Sequence, residues 1–510
     1  MSAKIIKCHT VDGRAIEFVD EVIGSGAMKD VYFSPDRSYV VCFFSKEKNK
    51  FYESKAALEQ QKDRLKEIVG NKWNGIFNGV GGDYWKNIFC WPDGLVEYND
   101  LLGITAPTYK KYYFFSYGSK NNDFLKIKGK EKEGKWFASA NNQNRFLDER
   151  EKGSWLNYLK IGILISRAVR RMHAAGLAHS DLSYKNVLID PVTGSACVID
   201  VDGLVVPGKY PPDVVGTPDF IAPEVVMTNH LKKDDPQRHL PNIMTDRHAL
   251  AVLIYMYLLY RHPLRGGKVH DVNDPQKDEN LAMGEKALFI EHPSDASNRV
   301  KVAQVRPSAL PWADPEKIPF TVTGPYLKEL FLQSFVTGLH QPQQRPSAND
   351  WETALVKTVD LMQPCLNPDC GQKWYVFDNS TKPVCPFCGT AFHGKLPVLN
   401  LYSARREGNF RPDNHRLMVW TGQSIYQWHA NNLIAPNERL SAEQTKRVGY
   451  FIFHQQQWWL VNENLPELMD VASKEIIPIG GKIELTDGKQ ILLSRQDGGR
   501  LVVVQMVECE

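Results

Sequence analysis

Two cysteine pairs set close together, Cys365-x4-Cys370 and Cys385-x2-Cys388, constrain the folding of this chain more than any other feature. Four thiolates in two short turns can close around one tetrahedral Zn2+, and the second turn, Cys-Pro-Phe-Cys-Gly, has the form of a zinc knuckle. A redox Cys-x-x-Cys is the alternative, but four spaced cysteines fit a closed structural site better. A small zinc ribbon that needs no hydrophobic core is therefore expected over 359–395. The other five cysteines, Cys8, Cys42, Cys90, Cys197 and Cys509, are scattered singly, which suits a reducing compartment and not a disulfide framework.

With 510 residues, 43% of them hydrophobic, the chain has length for about three units. Its 62 basic and 59 acidic residues leave a net charge of +3, which gives no global reason to expect nucleic acid or a membrane surface as partner. The first residues run into Asp12 and Gly13 without the apolar stretch of a secretory signal, and the most apolar run, 249–260, is too short to span a bilayer. A cytoplasmic location is expected.

Residues 1–115 carry strand-like patches around a Gly-rich turn, an amphipathic helix pattern over 51–69, and further strand-like runs at 88–91 and 112–115. From Trp155 the period turns helical (Leu156, Leu159, Ile163, Ile165, Val169, Met172), and helical patterns recur at 246–260 and 327–338. Between these regions, 118–153 is rich in Asn, Gly, Glu and lysines (Lys126, Lys128, Lys130, Lys132, Lys135). It reads as an exposed, solvated insertion with some order around Trp136 and Phe137; a basic docking surface is the less favoured alternative. The fold class is α+β, with a strand-rich tail over 396–510 expected to form a β sandwich.

Residues 179–186 read His-Ser-Asp-Leu-Ser-Tyr-Lys-Asn, which resembles the protein kinase catalytic loop in residue type and spacing. The resemblance implies a bilobal fold, with 1–115 as the small lobe and 116–358 as the large one. It makes Asp181 the base and Asn186 a ligand of Mg2+ (or Mn2+) against the phosphates of ATP. The run Cys197-Val-Ile-Asp200-Val-Asp202-Gly203 is similar to the strand entering the metal-binding D-F-G triplet, which makes Asp200 the expected second metal ligand; with Asp202 in place of the glycine, either the glycine has slipped to Gly203 or a second carboxylate stands by in support. Gly216-Thr-Pro-Asp-Phe-Ile-Ala-Pro-Glu224 resembles the segment ending in A-P-E, whose glutamate pairs with a buried arginine; Arg345 stands in that place. Asp246 is expected to cap the catalytic-loop backbone or, read without the family, to act as a helix N-cap.

Near the start, Gly24-Ser25-Gly26-Ala27-Met28-Lys29-Asp30-Val31 resembles the phosphate-covering glycine loop, with Lys29 in place of the third glycine. The following strand lacks the phosphate-pairing lysine, and Phe43 is read as occupying its position. The pattern is similar to that of the with-no-lysine kinases, which makes Lys29 the expected phosphate-pairing cation and Lys46 the competing alignment. Glu59 on the next helix is the expected partner of that lysine, with Glu53 and Glu67 as rivals and a solvated helix face as the plain alternative.

Ser180 replaces the arginine that binds a phosphorylated activation loop, and 203–215 holds Tyr210 but no Ser or Thr, so activation by loop phosphorylation is not expected. Ser183 stands where Ser/Thr kinases carry a lysine, and Lys185 supplies the charge near the transferred phosphate. Gly216-Thr217-Pro218 points to Ser/Thr substrates.

In the tail, Trp459-x-Val461-Asn462 and the run beginning at Gly481 look like the last half of a forkhead-associated domain, without its Gly-Arg and Ser-x-x-His reader residues. The combination resembles bacterial kinases associated with a PP2C-type phosphatase and a von Willebrand factor A protein. Two rival readings remain: a pseudokinase scaffold, and an adaptor whose ribbon and β domain recruit partners.

Overall fold

The computed structural model describes residues 4–509 except 27, 80, 205, 207–215, 233, 381 and 407, with backbone alone at 509. The chain divides into two compact units. Met1–Lys152, Leu164–Asp314 and Phe331–Asn349 make the first, and Gly153–Ile163, Pro315–Leu330 and Asp350–Glu510 the second.

The first unit opens with an antiparallel hairpin, β1 (Ile5–His9) and β2 (Ala15–Val19). A five-stranded antiparallel sheet follows in the order β3 (Gly24–Ser25), β4 (Lys29–Phe33), β5 (Tyr39–Phe44), β7 (Leu101–Pro107), β6 (Gly94–Tyr98). The two-residue period of a strand sorts β5 by face. Val41 and Phe43 pack with Ile6, Ile16, Phe18 and Val96, while Phe44 packs with Leu65, Leu95, Leu102 and Ile104 on the other side. Leu65 comes from the helix Lys55–Glu67, which starts where the Ser54 side chain accepts a hydrogen bond from the Ala57 N–H.

The expected solvated insertion is not what forms over 118–153. Phe137, Ala138, Ala140 and Leu147 are fully buried, and a Cβ on Gly134 would lie 1.9 Å from Tyr257 Oη of the central helix, so the segment docks where only glycine fits. Lys132, read as one of a row of surface lysines, is itself buried between Asp190 (2.7 Å) and Glu151 (3.0 Å). Two carboxylates brought from outside the local sequence make its burial tolerable. The run 112–115 is not a strand either: Lys111–Tyr113 forms a 3-10 turn.

An antiparallel hairpin, β8 (Val187–Asp190) and β9 (Ser195–Val198), leads from the loop at 179–186 to the turn at 200–203. The helical part of the first unit is organised on the helix Ile243–Leu259, buried along nearly its whole length and capped by Asn242 and Thr245 in a reciprocal box. Asn242, not Asp246, is thus the N-cap. Tyr255 packs edge-on against Phe289, Phe331 and Phe335.

In the second unit the hairpin β10 (Met362–Pro364) and β11 (Trp374–Val376) carries the first cysteine pair. The ribbon has a small core after all, in which Cys370 and Cys385 are buried with Leu361, Tyr375, Phe377 and Leu396. Residues 153–163 and 315–330, assigned from sequence to the helical lobe, belong to this unit: Trp155 stacks edge-on against Phe387 at 5.0 Å, and Gly324 abuts Val376.

Two antiparallel sheets follow. One runs β13 (Phe410–Met418), β12 (Gly394–Ala404), β20 (Arg500–Cys509), β19 (Gln490–Leu492), β17 (Met469–Asp470); the other runs β14 (Ser424–Tyr426), β15 (Arg447–His454), β16 (Gln457–Asn462), β18 (Lys482–Glu484). Leu399, Leu401, Val502 and Val504 of the first share one core with Ile425, Phe451, Leu460 and Ile483 of the second. Among the described residues, no helix is long and apolar enough to cross a membrane.

Candidate active site

The catalytic-loop residues are held from three directions. Asp181 Oδ1 accepts from the Thr217 N–H (2.6 Å) and from Thr217 Oγ1 (2.8 Å), and Oδ2 accepts from Asn186 Nδ2 (2.9 Å). Both Asn186 amide protons go to Asp181, one to its side chain and one to its backbone carbonyl at 2.8 Å, which leaves Asn186 Oδ1 as an acceptor. Ser183, buried, meets Thr217 Oγ1 at 3.2 Å, and Lys185 is exposed on the same loop. Asp246 caps the loop from below, accepting from the backbone N–H groups of His179 (2.7 Å) and Ser180 (3.1 Å). Ser180 needs that support because its φ is 67°, in the left-handed region.

Downstream, Arg345 binds Glu224 through two parallel contacts of 2.8 Å and donates to the carbonyls of Gly338, Leu339 and Met244. This is the pair expected of the A-P-E glutamate, with the arginine buried and the glutamate partly so, and it anchors the segment that supplies Thr217.

Lys29 reaches Asp200 Oδ1 at 2.9 Å and both oxygens of Asp202 at 2.7 and 2.8 Å. Burial alone would lower its pKa, but the two carboxylates outweigh this and hold the ammonium well above the ordinary lysine range. Lys29 in turn holds Asp200 below the usual carboxylate range, whereas burial pushes Asp202 up. Asp202 is only 7% exposed, so it is the inner partner of Lys29, where the sequence placed it only as support.

The register of β4 against β5 corrects the assignment of Phe43. Lys29 lies directly across from Phe44 and its Nζ stands 5.7 Å from the centre of that ring. Phe44 faces Lys29, whereas Phe43 points to the opposite face and packs on Phe18, Tyr32 and Tyr98. A one-residue shift along a strand exchanges its faces, so Phe43 does not reach the side of the sheet on which Lys29 and Phe44 meet. Cys42, two residues earlier, shares that face, and burial pushes its thiol up to about 11.

Glu59 is not brought to Lys29. It pairs with Lys62 at 3.3 Å on its own helix, and Lys62 also bonds Glu97. Lys46 is exposed, and it is Lys48 that touches the glycine loop, donating to Ser25 Oγ (2.7 Å) and Gly26 O (3.1 Å). A Cβ on Gly24 would meet nothing within 4 Å and one on Gly26 only Lys29 O at 3.7 Å. Packing within the chain does not demand glycine there, and the space beside the loop is open. Ala27 and Tyr210 lie outside the described residues.

The donor set fits a hard divalent cation, since Asn186 Oδ1 and the carboxylate of Asp200, half exposed, are oxygen ligands of the kind Mg2+ takes. The ribbon fits a different metal. The four Sγ atoms of Cys365, Cys370, Cys385 and Cys388 lie within 4.8 Å of one another, with 365–388 at 3.5 Å and 370–385 at 3.9 Å. A tetrahedron with Zn–S bonds of about 2.3 Å has edges of about 3.8 Å, so the cluster has the size for Zn2+.

Residues 132–371 match the protein kinase domain family. This chain is also 31% identical over 123 residues to the death-associated protein kinase dapk-1 of Caenorhabditis elegans, a match covering 24% of this chain but only 8% of that protein. The chain therefore carries a protein kinase domain, and the match begins beyond the glycine loop, so the position of Lys29 rests on geometry.

Proposed function

We propose that this chain transfers the γ-phosphoryl group of ATP to serine or threonine of a protein substrate. The observation that carries the reading is the oriented Asp181: its carboxylate is fixed with Oδ1 held by Thr217 and Oδ2 by the Asn186 amide N–H. In the reaction the substrate hydroxyl oxygen bonds to the γ-phosphorus as the bond to ADP breaks, and the hydroxyl proton passes to Asp181. Mg2+ bound at Asn186 and Asp200 would neutralise phosphate charge. Lys29 would face the α- and β-phosphates from the glycine loop, with Gly24, Ser25 and Gly26 covering them. Lys185, exposed on the loop, would supply charge at the transferred group. Thr217, bonded to both Asp181 and Ser183, supports a Ser/Thr substrate.

The four-cysteine site would hold structural Zn2+, and the forkhead-like β domain would act in targeting, in a bacterial cytosolic system with a PP2C-type phosphatase and a von Willebrand factor A protein as partners. The test is transfer of labelled phosphate from ATP with Mg2+ or Mn2+ to the protein itself and to a generic Ser/Thr substrate. Wild type is expected to transfer and Asp181→Asn to lose it by about three orders of magnitude or more, the scale of removing a central catalytic group. No transfer by zinc-loaded, folded wild type would favour the scaffold reading.

A further inference from the structure

The helix that in the kinase resemblance supplies a glutamate to the phosphate-pairing lysine does not do so here, because Glu59 bonds Lys62. A different residue of that helix reaches the metal loop. Arg64, 3% exposed, sits beside Leu65, which seats the helix on the sheet with Phe44 and Ile104. Its Nη2 donates to the carbonyl oxygens of Gly203, by a short contact, and of Leu204 at 3.1 Å.

These carbonyls have a defined place. Asp200 adopts a left-handed φ of 58°, and Val201–Gly203 then make a single 3-10 turn, closed by the Leu204 N–H on Val201 O at 3.3 Å. The end of so short a helical turn leaves carbonyls without partners inside the turn, and a guanidinium is suited to satisfy two at once. The turn is thus gripped on both sides, with the side chains of Asp200 and Asp202 held by Lys29 and its backbone held by Arg64.

We propose that Arg64 is a positioning residue for phosphoryl transfer. It takes over, through the backbone of the metal loop, the coupling of helix to lysine that a helix glutamate would otherwise make. Displacing the helix would withdraw Arg64 from Gly203 and Leu204, loosen the turn, and move Asp202 off Lys29 and Asp200 away from the position a metal ion needs. The helix thereby acts on Lys29 through the backbone of the turn.

The proposal rests on the kinase reading, so its test has one arm that does not need catalysis. In the full chain without nucleotide, amide hydrogen exchange over 199–204 should rise at least tenfold in Arg64→Met and stay near wild type in Arg64→Lys, which keeps one donor; equal exchange in all three proteins overturns the tether. The second arm measures phosphotransfer in a double-mutant cycle of Arg64→Met with Asp202→Asn. Each single variant should lose kcat at least tenfold, with a smaller change in KM for ATP, and the double should be no worse than the weaker single, because both act through one turn. Losses that multiply, or a kcat per folded molecule unchanged in Arg64→Met, overturn the positioning role. Wild type that transfers no phosphate but shows the exchange pattern removes the kinase reading and leaves the tether standing.

Discussion

Replacing Lys29 by methionine tests the centre of the site, because two consequences with different causes should follow. Asp202 is 7% exposed and takes both oxygens to Lys29, so the substitution leaves a buried carboxylate without its cation. Removing one partner of such a pair costs about 3–5 kcal/mol if the other stays ionised. Burial already pushes Asp202 up, and without Lys29 it rises further, so the folded variant takes up a proton where the unfolded chain does not. The sign follows: the penalty is full above the raised folded value and shrinks as pH falls towards the unfolded value of about 3.9. In thermal melts the Tm deficit of Lys29→Met should therefore narrow from pH 8 to pH 5. Lys29→Met/Asp202→Asn, with no charge left to bury, should recover most of the stability. Phosphate transfer should recover in neither, falling about 10²–10³-fold for loss of one charge-stabilising group. Lys46→Met, at an exposed position, should melt within about 0.5 kcal/mol of wild type and keep its transfer. Transfer retained by Lys29→Met and lost by Lys46→Met would refute the assignment, and a deficit that widens on acidification would refute the electrostatics.

Lys132→Met should destabilise the first unit by about 3–5 kcal/mol in urea unfolding, since it strands Asp190 and Glu151, both buried; Lys128→Met, exposed in the same segment, should be silent. Removal of zinc by a chelator should make 359–395 the first segment cut by protease, and Cys370→Ser should reproduce this without chelator, because Cys370 also lies in the ribbon core. In the second unit, Asp360 is buried between His415 (2.6 Å) and His429 (3.2 Å); its histidine contacts hold the carboxylate well below its usual range against the cost of burial, and burial holds His415 low. Both groups resist protonation when folded, so the stability of this unit should fall as pH drops below about 6.5 and fall again below about 3.9, and Asp360→Asn should remove the second step.

What was legible in the sequence is what short spacing fixes. Asp181 and Asn186 lie on one loop, and their separation sets the geometry that Thr217 then locks. The four cysteines likewise announce themselves by spacing, and the central helix by its unbroken apolar run. Strand faces were less legible: with aromatic residues at both 43 and 44, alternation does not say which points to the glycine loop, and only pairing with β4 decides it.

Buried cations were the least legible of all. Arg64 and Lys132 each stand among polar neighbours in sequence, where a charged residue is ordinarily a solvated one. Each is buried because acceptors arrive from elsewhere in the chain: the Gly203 and Leu204 carbonyls for Arg64, Asp190 and Glu151 for Lys132. Glu59 shows the converse, a carboxylate at a plausible distance in sequence whose nearest cation, Lys62, lies one turn away on its own helix. A local lysine within i+3 or i+4 makes a helix glutamate a surface residue at little energetic expense, and that leaves the lysine of the glycine loop to find its counter-charge in the metal loop. The second carboxylate of the Asp200-Val201-Asp202 run, which departs from the D-F-G pattern, is accounted for by Lys29, which it binds through both oxygens. A cation entering from the glycine loop meets the metal loop first, and a carboxylate at 202 is placed to receive it.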